Sequence, residues 1–500
     1  MRDTFFIFLI SLFTYTSSLA QEKLTSFVDP FIGIGAHGNT SPGAVVPNGK
    51  VQVTPYNGGS GSIKTSRYHY DNNKINGFNH VDLAGFNNDE WLDISVMPLL
   101  APLKGQDTIL AAATFSHQRE SAVPGYYSVE LDNKIRVELT TTDRISYHRY
   151  TFPAGSEPAI RFEWAAQKAG DRMHETFLQK ENDSTLVGYR ITPGTSNNEK
   201  LYFAARTSKN IREFRLKGEI DIEAGDINIG LKSEEGEAGV TSQLVFNPTS
   251  IPETIELKVA LSANSLEEAL ETLEDVPDWN FNTVRAQASA DWEDELARIR
   301  ITSSDIRLKR IFYTALYHAV ADPQSLSSRQ ADRILPSPVI DSTRVAGNPP
   351  SADRQRLRQQ VDSVFQDKPD EYREDAGVSP LWAVWTILGL YDANGSRGEY
   401  HITSPLIDKA VIDVNNGNQF EIEVLNNGPE NRYVRSLKLN GSNYKKDYLL
   451  HTDLIKGGKL TVSMGAESAR KRDDDQENIP SAEKKDIFKS IGDFFKNIFK

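Results

Sequence analysis

Apolar residues recur at every second position through the first half of the chain. Ile135, Val137 and Leu139 alternate with polar neighbours, as expected of a strand that buries one face. The same alternation recurs at Ile220 and Ile222, at Ile227, Ile229 and Leu231, and at Ile255, Leu257, Val259 and Leu261. Turn sequences separate these segments, and no helical pattern alternates with them. The pattern therefore predicts a large antiparallel β-sandwich over residues 21–262.

The hydrophobic period then changes to that of a helix. Ser265 and Glu268 have the spacing of a capping box, in which both side chains bond free backbone N–H groups, so a helix should start near Leu266. A second apolar stripe consists of Phe281, Val284, Ala288, Trp292, Leu296 and Ile299. A third helix should begin near Asp305. Residues 263–320 are therefore predicted to be a helical linker and the first helix of an all-helical domain.

A polar segment at residues 321–372 interrupts this helical pattern. It is rich in Gln, Ser, Arg, Asp and Pro, which argues against a packed core and predicts a disordered insert, with one polar helix near residues 354–365. Order should return at Ser379 and Pro380, because Ser is a good N-cap and Pro a favoured first helical residue. Residues 373–395 are thus predicted to hold one more helix.

The ends of the chain differ from its centre. Residues 1–20 contain a basic residue, a short apolar run and small residues before Gln21, which indicates a secretory signal peptide, with an uncleaved anchor as the alternative. Strands are expected again over residues 396–466. Residues 467–500 read as a charged spacer and an amphipathic helix, with Ile487 and Phe499 on its apolar face. That helix suits a membrane surface, a protein groove or the protein itself.

Charge and cysteine content narrow the possible partners. The chain has 500 residues, 56 Lys and Arg against 69 Asp and Glu, a formal charge of -13 and no cysteine. Disulfides, thiolate zinc sites and cysteine nucleophiles are excluded, and an acidic chain argues against nucleic acid as the main partner. A neutral sugar or polyol, or a divalent cation, fits better. With the signal peptide, this predicts an exported protein in the periplasm or outside the cell.

Several short motifs follow one another along the chain. They include Val28-Asp29-Pro30-Phe31-Ile32-Gly33, His37-Gly38-Asn39-Thr40, Tyr68-His69-Tyr70-Asp71, Phe115-Ser116-His117, Pro124-Gly125-Tyr126-Tyr127, Phe312-Tyr313-Thr314-Ala315-Leu316-Tyr317-His318 and Ser404-Pro405-Leu406. In this order they resemble the glycoside hydrolase family 92 α-mannosidases, over about residues 27–320 and 373–466. The resemblance implies a β-sandwich on an (α/α)6 barrel and a calcium-dependent exo-α-mannosidase that hydrolyses terminal mannosides of glycans with inversion.

Most of that barrel is missing from this chain. Twelve helices of about 11 residues with short loops need roughly 180 residues or more, and only residues 299–395 are available for them. The expected fold is therefore a β-sandwich plus α: a large N-terminal sandwich, a helical linker, a truncated barrel remnant and a short C-terminal β region. An exposed core face on the third helix would indicate a remnant that awaits a missing partner.

The resemblance carries over one catalytic residue. Asp375, in Arg373-Glu374-Asp375-Ala376-Gly377, falls on the general base, although Arg373 replaces an acidic residue of the family. An inverting glycosidase also requires a carboxylic acid, and the family's catalytic glutamate lies in the missing block. Asp375 is otherwise a carboxylate favoured near a helix N-terminus. Three hypotheses stand: an impaired α-mannosidase, a non-catalytic carbohydrate-binding or scaffold protein, and a rearranged product that folds poorly.

A loop of the sandwich supplies candidate sugar contacts. In the family this stretch reaches the sugar, and here it contains Asn87, Asp89 and Trp91. These residues are candidate sugar contacts, because an indole face stacks on a pyranose ring while amides and carboxylates bond its hydroxyls. A partly buried Trp is the alternative. Calcium is implied by the resemblance, but its ligands are not identifiable. His37, His69, His80 and His318 are interpreted as core or loop hydrogen-bonding residues rather than ligands.

Overall fold

The computed structural model describes residues 22–34, 40–57, 68–82, 94–101, 112–163, 175–191, 200–216, 221–222, 228–231, 241–321, 353–364, 380–392, 398–414 and 417–467. Its N-terminal strands are β1 (Val51–Tyr56), β2 (Lys74–Ile75), β3 (Gly77–Asp82), β4 (Ile94–Leu100), β5 (Ala113–Val123), β6 (Tyr126–Leu131), β7 (Arg136–Thr141), β8 (Ile145–Phe152), β9 (Pro158–Glu163), β10 (Glu175–Asn182), β11 (Thr185–Ile191), β12 (Lys200–Thr207), β13 (Glu213–Leu216), β14 (Asp221–Ile222), β15 (Asn228–Leu231), β16 (Thr241–Val245) and β17 (Glu253–Ser262).

These strands form two antiparallel sheets that face each other. One sheet has seven strands in the order β1-β3-β4-β9-β16-β13-β14, and the other has ten in the order β15-β10-β11-β12-β17-β8-β7-β6-β5-β2. Side chains from both sheets meet in one buried core, for example Phe78 and Phe162 from the first and Val137 and Leu139 from the second. The expected antiparallel sandwich is confirmed.

The ten-stranded sheet is also covered on its outer face. Tyr126 and Tyr147 point away from the sandwich core and pack against Phe281 of the following helical region. Glu138 is buried on the same strand as Val137 and Leu139, and its carboxylate accepts hydrogen bonds from Arg149. Because both faces are buried here, the alternation of apolar and polar residues does not correspond to buried and exposed positions.

The helices and later strands follow the sandwich. They are α1 (Leu266–Leu273), α2 (Phe281–Leu296), β18 (Ile299–Thr302), α3 (Ile306–Ala321), α4 (Arg354–Val364), α5 (Pro380–Leu388), β19 (Leu390–Asp392), β20 (Glu399–Ile402), β21 (Lys409–Val414), β22 (Asn418–Leu425), β23 (Tyr433–Leu439), β24 (Ser442–Asn443), β25 (Tyr448–Leu450), α6 (His451–Leu454) and β26 (Gly458–Gly465). Six strands form a sheet in the order β18-β21-β22-β26-β23-β24, and β19-β20-β25 form a smaller one.

The predicted capping box of α1 is half correct. The Ser265 hydroxyl accepts the backbone N–H of Glu268 at 3.1 Å, as expected of an N-cap. The Glu268 carboxylate, however, accepts from the Ser262 hydroxyl and the Asn264 amide, both at 2.6 Å. The backbone N–H of Ser265 bonds the Ser262 hydroxyl instead. Ser262 of the preceding strand therefore replaces Glu268 as the acceptor for the backbone N–H of Ser265.

The second predicted helix ends earlier than its apolar stripe suggested. Ile299 was expected to extend α2, but it is the first residue of β18 and pairs with Ile412 of β21. Ile299 adopts a strand because the β-branched Ile299 and Ile301 alternate with exposed residues, as a strand requires. The strand that follows α2 thus belongs to the six-stranded C-terminal sheet. Its pairing with β21 brings the chain before α3 next to the chain after α5.

The helices and the C-terminal sheets share a second core. All residues of α3 from 311 to 321 are buried, and α3 packs against α5. Side chains of β21, β22 and β26 complete the same core, among them Ile412, Phe420 and Val462. The helix therefore presents no exposed core face along this stretch, which contradicts the expectation for a remnant awaiting a partner.

The polar helix predicted near residues 354–365 is confirmed as α4, although its packing into a core was not predicted. Leu357 and Val361 of this polar helix are buried in the second core, and the Arg354 guanidinium bonds the backbone carbonyls of Pro405 and Leu406. One turn of spacing between two apolar residues is enough to anchor a helix whose composition is otherwise polar. The remainder of that segment, apart from Ala321 and Asp353, lies outside the described residues.

The terminal predictions are not tested by the structure. The predicted signal peptide over residues 1–20 and the amphipathic helix over residues 487–499 lie outside the described residues and stay predictions. Within the described part of the chain, no helix combines the length and apolarity needed to cross a membrane.

Candidate functional site

An N-terminal segment joins the two cores. Residues 24–34 and 40–46, here called the strap, lie between the sandwich and the helices. Val28 and Val45 of the strap are buried in the second core, whereas Ile34 and Ala44 are buried in the sandwich core. The strap therefore marks the seam at which the family resemblance places a sugar site.

Polar bonds fix the strap to the helices. The Glu293 carboxylate of α2 accepts the backbone N–H groups of Leu24 and Thr25 at 2.7 and 3.0 Å. The indole Nε1–H of Trp292 donates to the carbonyl of Val45 at 2.6 Å. These bonds replace water for strap groups that lie against the helices, so they define the position of the strap along α2.

His318 of α3 holds the middle of the strap. Its Nε2 lies 2.9 Å from the carbonyl oxygen of Ile32, and because a carbonyl only accepts, Nε2 carries the proton. Burial lowers the pKa of His318 to about 4, although the bond to Ile32 opposes this shift. The imidazole is thus neutral at pH 7, and the prediction that His318 is a core hydrogen-bonding residue is confirmed.

The seam continues as a row across the seven-stranded sheet. Ala44 of the strap forms a bridge with Val53, Val53 pairs with His80, and His80 pairs with Ile94. His80 and Ile94 stand close to the two ends of residues 83–93. The row that begins at the strap therefore includes described residues close in sequence to the predicted sugar contacts, while Asn87, Asp89 and Trp91 themselves lie outside the described residues.

A buried histidine pair stabilises this row. His80 Nδ1 donates to the carbonyl of Ile94 at 2.7 Å, and its Nε2 lies 2.8 Å from Nε2 of His148. The Tyr150 hydroxyl lies 2.7 Å from His148 Nδ1. Burial, and secondly the neighbouring His80, hold the pKa of His148 well below its ordinary value. The prediction that His80 is a core hydrogen-bonding residue is confirmed, and the pair sets the ends of β3 and β4.

The predicted general base, Asp375, also lies outside the described residues. The helix that follows it, α5, is described and packs in the second core. Its Trp385 ring stacks on Tyr400 with centroids 5.1 Å apart. Gly389 ends the helix at a φ of +75°, a conformation that favours glycine. The structure thus describes the helix that follows Asp375 in the sequence, but not Asp375 itself.

A polar cluster in the sandwich was not predicted. The Glu120 carboxylate lies within 2.6 to 2.9 Å of the Tyr68 hydroxyl, the Tyr127 hydroxyl and His117 Nδ1. The sequence signal was present, because Tyr68, His117 and Tyr127 belong to three of the motifs noted above. Glu120 itself was missed, since no spacing rule joins residues from three separate strands and loops.

The described residues do not provide a calcium site. Among them no group of three or more His, Asp or Glu side chains is close enough to hold a metal ion, whereas calcium requires six to eight oxygen ligands. The Glu120 oxygens are already used by hydroxyl and imidazole donors. The described part of the seam therefore does not fit a calcium ion.

Comparison with known families decides the relationship of the chain. Residues 27–262 match the glycosyl hydrolase family 92 N-terminal domain, and residues 268–343 and 344–466 match the glycosyl hydrolase family 92 catalytic domain. The chain belongs to glycosyl hydrolase family 92. The boundary between the two matched domains falls at the start of α1, where this family 92 chain changes from strands to helices.

Individual family relatives agree with this assignment. An uncharacterized secreted glycosidase of Arthroderma benhamiae is 24% identical over 351 residues, which is 64% of this chain and 44% of that protein. The chain thus matches less than half the length of this curated relative. A family 92 α-mannosidase from Bacteroides thetaiotaomicron has the same fold with a TM-score of 0.74 at 18% identity, over 89% of this chain and 95% of that one.

A second structure from Bacteroides thetaiotaomicron was solved in complex with mannoimidazole. It superposes with a TM-score of 0.73 at 18% identity, over 89% of this chain and 95% of the other. A family 92 inverting mannosidase from the same organism gives 0.72 at 16% identity, over 89% and 97%. At these identities the likeness establishes the fold of the family.

Proposed function

We propose that this family 92 protein is exported and recognises terminal α-mannosides of glycans, and that its inverting hydrolysis is impaired by the loss of the catalytic acid. Membership of the family supports a glycosidase origin. Structures of the same fold include α-mannosidases, one of them with mannoimidazole. Export, to the periplasm or the medium, is supported by the secreted relative and by the predicted signal peptide.

The burial of α3 favours a folded protein over an unfolded remnant. Residues 311–321 of α3 are buried throughout, and the strap, α5 and the C-terminal strands share their core. A chain that had lost its barrel without compensation would leave apolar helix surface in water. The closed core is evidence that the helical region is shortened but ordered, and that it can hold the seam between the domains in place.

The proposed sugar contacts are those of the segment between β3 and β4. Trp91 would stack on the pyranose ring, while Asn87 and Asp89 would bond its hydroxyl groups. The row from the strap to Ile94 supports this proposal because His80 and Ile94, which pair with each other, flank that segment in the sequence. Asp375 is proposed as the general base, five residues before the start of α5 in the sequence.

Calcium belongs to the proposal only through the family. If the chain uses the ion, its ligands lie among residues that the structure does not describe, since the described part lacks a suitable group. Removal of the ion with a chelator is the simplest test. A calcium-bound protein should lose mannoside affinity with the chelator and recover it with added calcium.

The decisive experiment measures binding and hydrolysis side by side. Binding of methyl α-mannoside should be detected by calorimetry, and release of mannose from α-mannobiosides should be slow or absent. Trp91→Ala should remove the binding that depends on the segment between β3 and β4, whereas Trp279→Ala, which changes an exposed tryptophan on the linker, should leave that binding unchanged. Asp375→Asn should remove any residual hydrolysis, with Asp183→Asn, a surface ion-pair residue, as the matched control.

A non-catalytic carbohydrate-binding or scaffold protein is the second candidate. It is favoured by the available length, because a complete barrel needs roughly 180 residues or more. Binding without any mannose release, unchanged by Asp375→Asn, would select this candidate. Absence of both binding and release would refute both.

A further inference from the structure

The Glu120 carboxyl group is buried and has no Lys or Arg partner in the described part of the chain. Its side chain is 1% exposed. The hydroxyls of Tyr68 and Tyr127 donate to it at 2.8 and 2.6 Å. Burial, and secondly Glu120 itself, raise the pKa of both tyrosines far above the ordinary value, so both hydroxyls remain protonated donors. Buried carboxylates require this kind of full hydrogen bonding.

The third donor to Glu120 is an imidazole, and this determines its tautomer. His117 Nδ1 lies 2.8 Å from Glu120 Oε2. Because the carboxylate accepts, Nδ1 carries a proton, and in the neutral ring the lone pair is on Nε2. His117 is 25% exposed, and its Nε2 makes no hydrogen bond to any residue that the structure describes. The result is an oriented acceptor at the surface.

Aromatic rings hold this imidazole in place. Tyr70 stacks on it with ring centroids 4.0 Å apart and planes 16° from parallel, and Phe115 contacts it edge-on at 5.0 Å. With Glu120 behind it, His117 has little freedom to rotate away. A side chain used only to fill space would not need its ring plane and its tautomer fixed together.

The position of His117 depends on a bulge in β5. In the pairing with β6, Phe115 faces Leu131 and Glu120 faces Val129, so residues 116–119 lie opposite Glu130 alone. Bulges of this kind re-aim side chains and are frequent beside functional sites. Here the bulge turns Glu120 inward and leaves Gln118 exposed beside His117.

We propose that His117 Nε2 accepts a hydrogen bond from a sugar hydroxyl and forms a second saccharide-binding site on the sandwich, in addition to the one proposed for residues 83–93. An imidazole acceptor beside aromatic walls and a surface amide suits a polyol, whose hydroxyls donate and whose C–H faces are apolar. A metal ion fits less well, because the described residues offer no third ligand and Glu120 is already occupied. The ligand class, but not the site, rests on the proposed function.

Carbethoxylation of histidine by diethyl pyrocarbonate tests the site directly. The reagent attacks an accessible, unprotonated imidazole nitrogen, so His117 should react quickly, and the buried His80 and His318 should not. Methyl α-mannoside at about ten times its dissociation constant should slow the reaction of His117 about tenfold, by mass action. His401, which is partly exposed on β20, is the matched control and should not be protected. Peptide mass spectrometry reads each histidine separately.

The Trp91→Ala variant distinguishes the site proposed at His117 from the site proposed for residues 83–93. Protection of His117 should persist in that variant, even if the proposed mannoside site fails. Loss of protection in Trp91→Ala would show that sugar shields His117 from elsewhere and would overturn the inference. An unreactive His117, or a reactive one that no concentration of the mannoside protects, would also overturn it.

Two variants complete the test. Glu120→Gln keeps the shape but lets an amide donate to Nδ1, which moves the proton to Nε2, so both reactivity and protection should fall at least about tenfold. His117→Ala changes a partly exposed residue and is compatible with folding. Combined with Trp91→Ala, it should abolish the mannoside binding that remains in calorimetry, and unchanged binding would contradict the proposal.

Discussion

Replacing Leu316 by Ala measures whether the shortened helical region is a packed domain. Leu316 lies on α3, is fully buried and belongs to the second core. Leu-to-Ala changes at such positions cost about 3–5 kcal/mol where the surroundings cannot collapse. Aromatic neighbours on the same helix, Phe312, Tyr313 and Tyr317, are also buried and leave little room for collapse. We therefore expect a loss of about 3 kcal/mol in the free energy of unfolding, roughly a 150-fold change in the equilibrium constant.

The same helix provides the control. Ile306, at its start, is 70% exposed, so Ile306→Ala should stay within about 0.5 kcal/mol of the parent. Urea unfolding followed by tryptophan fluorescence and by circular dichroism gives both values, and Trp292 and Trp385 report on the second core. A cost below about 1 kcal/mol for Leu316→Ala, similar to that of Ile306→Ala, would refute a packed helical region.

Three further changes probe the core and the seam. Burial lowers the pKa of His318 from 6.5 to about 4 in the folded protein, so as the pH falls the unfolded chain is protonated before the folded one. The free energy of unfolding should therefore fall by about 3 kcal/mol between pH 6.5 and pH 4. His318→Asn should flatten this pH dependence in urea titrations. Burial raises the pKa of Glu295, so its ionised form destabilises the fold above pH 4.5, and Glu295→Met should add about 1–2 kcal/mol at pH 7 but nothing at pH 4. Trp292→Phe leaves a strap carbonyl unbonded and should cost about 1–3 kcal/mol in the same assay, whereas the exposed Trp279→Phe should cost under about 0.5 kcal/mol.

Local signals were sufficient to predict several helix boundaries. Ser265 caps α1 through a bond to a residue three positions later, and Pro380 begins α5, which ends before Gly389. Each of these signals depends only on backbone geometry within one turn. The helix starting after Asp305 was also predicted, and the Asp305 carboxylate does accept the backbone N–H of Leu308.

Long-range packing was not predictable in the same way. The composition of residues 321–372 hides the fact that Leu357 and Val361 are one turn apart and face the core. Ile299 continues a helical stripe in the sequence, yet β21 captures it as a strand. In both cases the partner lies far away in the chain, so spacing alone cannot decide the outcome.

The candidate site shows the same division. The motifs containing Tyr68, His117 and Tyr127 were visible, but their meeting at Glu120 depends on a strand bulge and on pairing register. The sugar contacts and the general base came from family resemblance, and they remain proposals. What the structure adds is the pairing of His80 with Ile94, the described residues that flank the segment between β3 and β4.

The central claim is that a closed, shortened helical region supports mannoside recognition without efficient hydrolysis. The most direct test is a single preparation in which methyl α-mannoside binding and mannose release from an α-mannobioside are both measured, with calcium and with a chelator. The account predicts saturable binding, of which the part at the segment between β3 and β4 is abolished by Trp91→Ala. It also predicts turnover far below the range typical of enzymes, about 1–1000 per second. Calcium-dependent turnover within that range, abolished by Asp375→Asn, would contradict it.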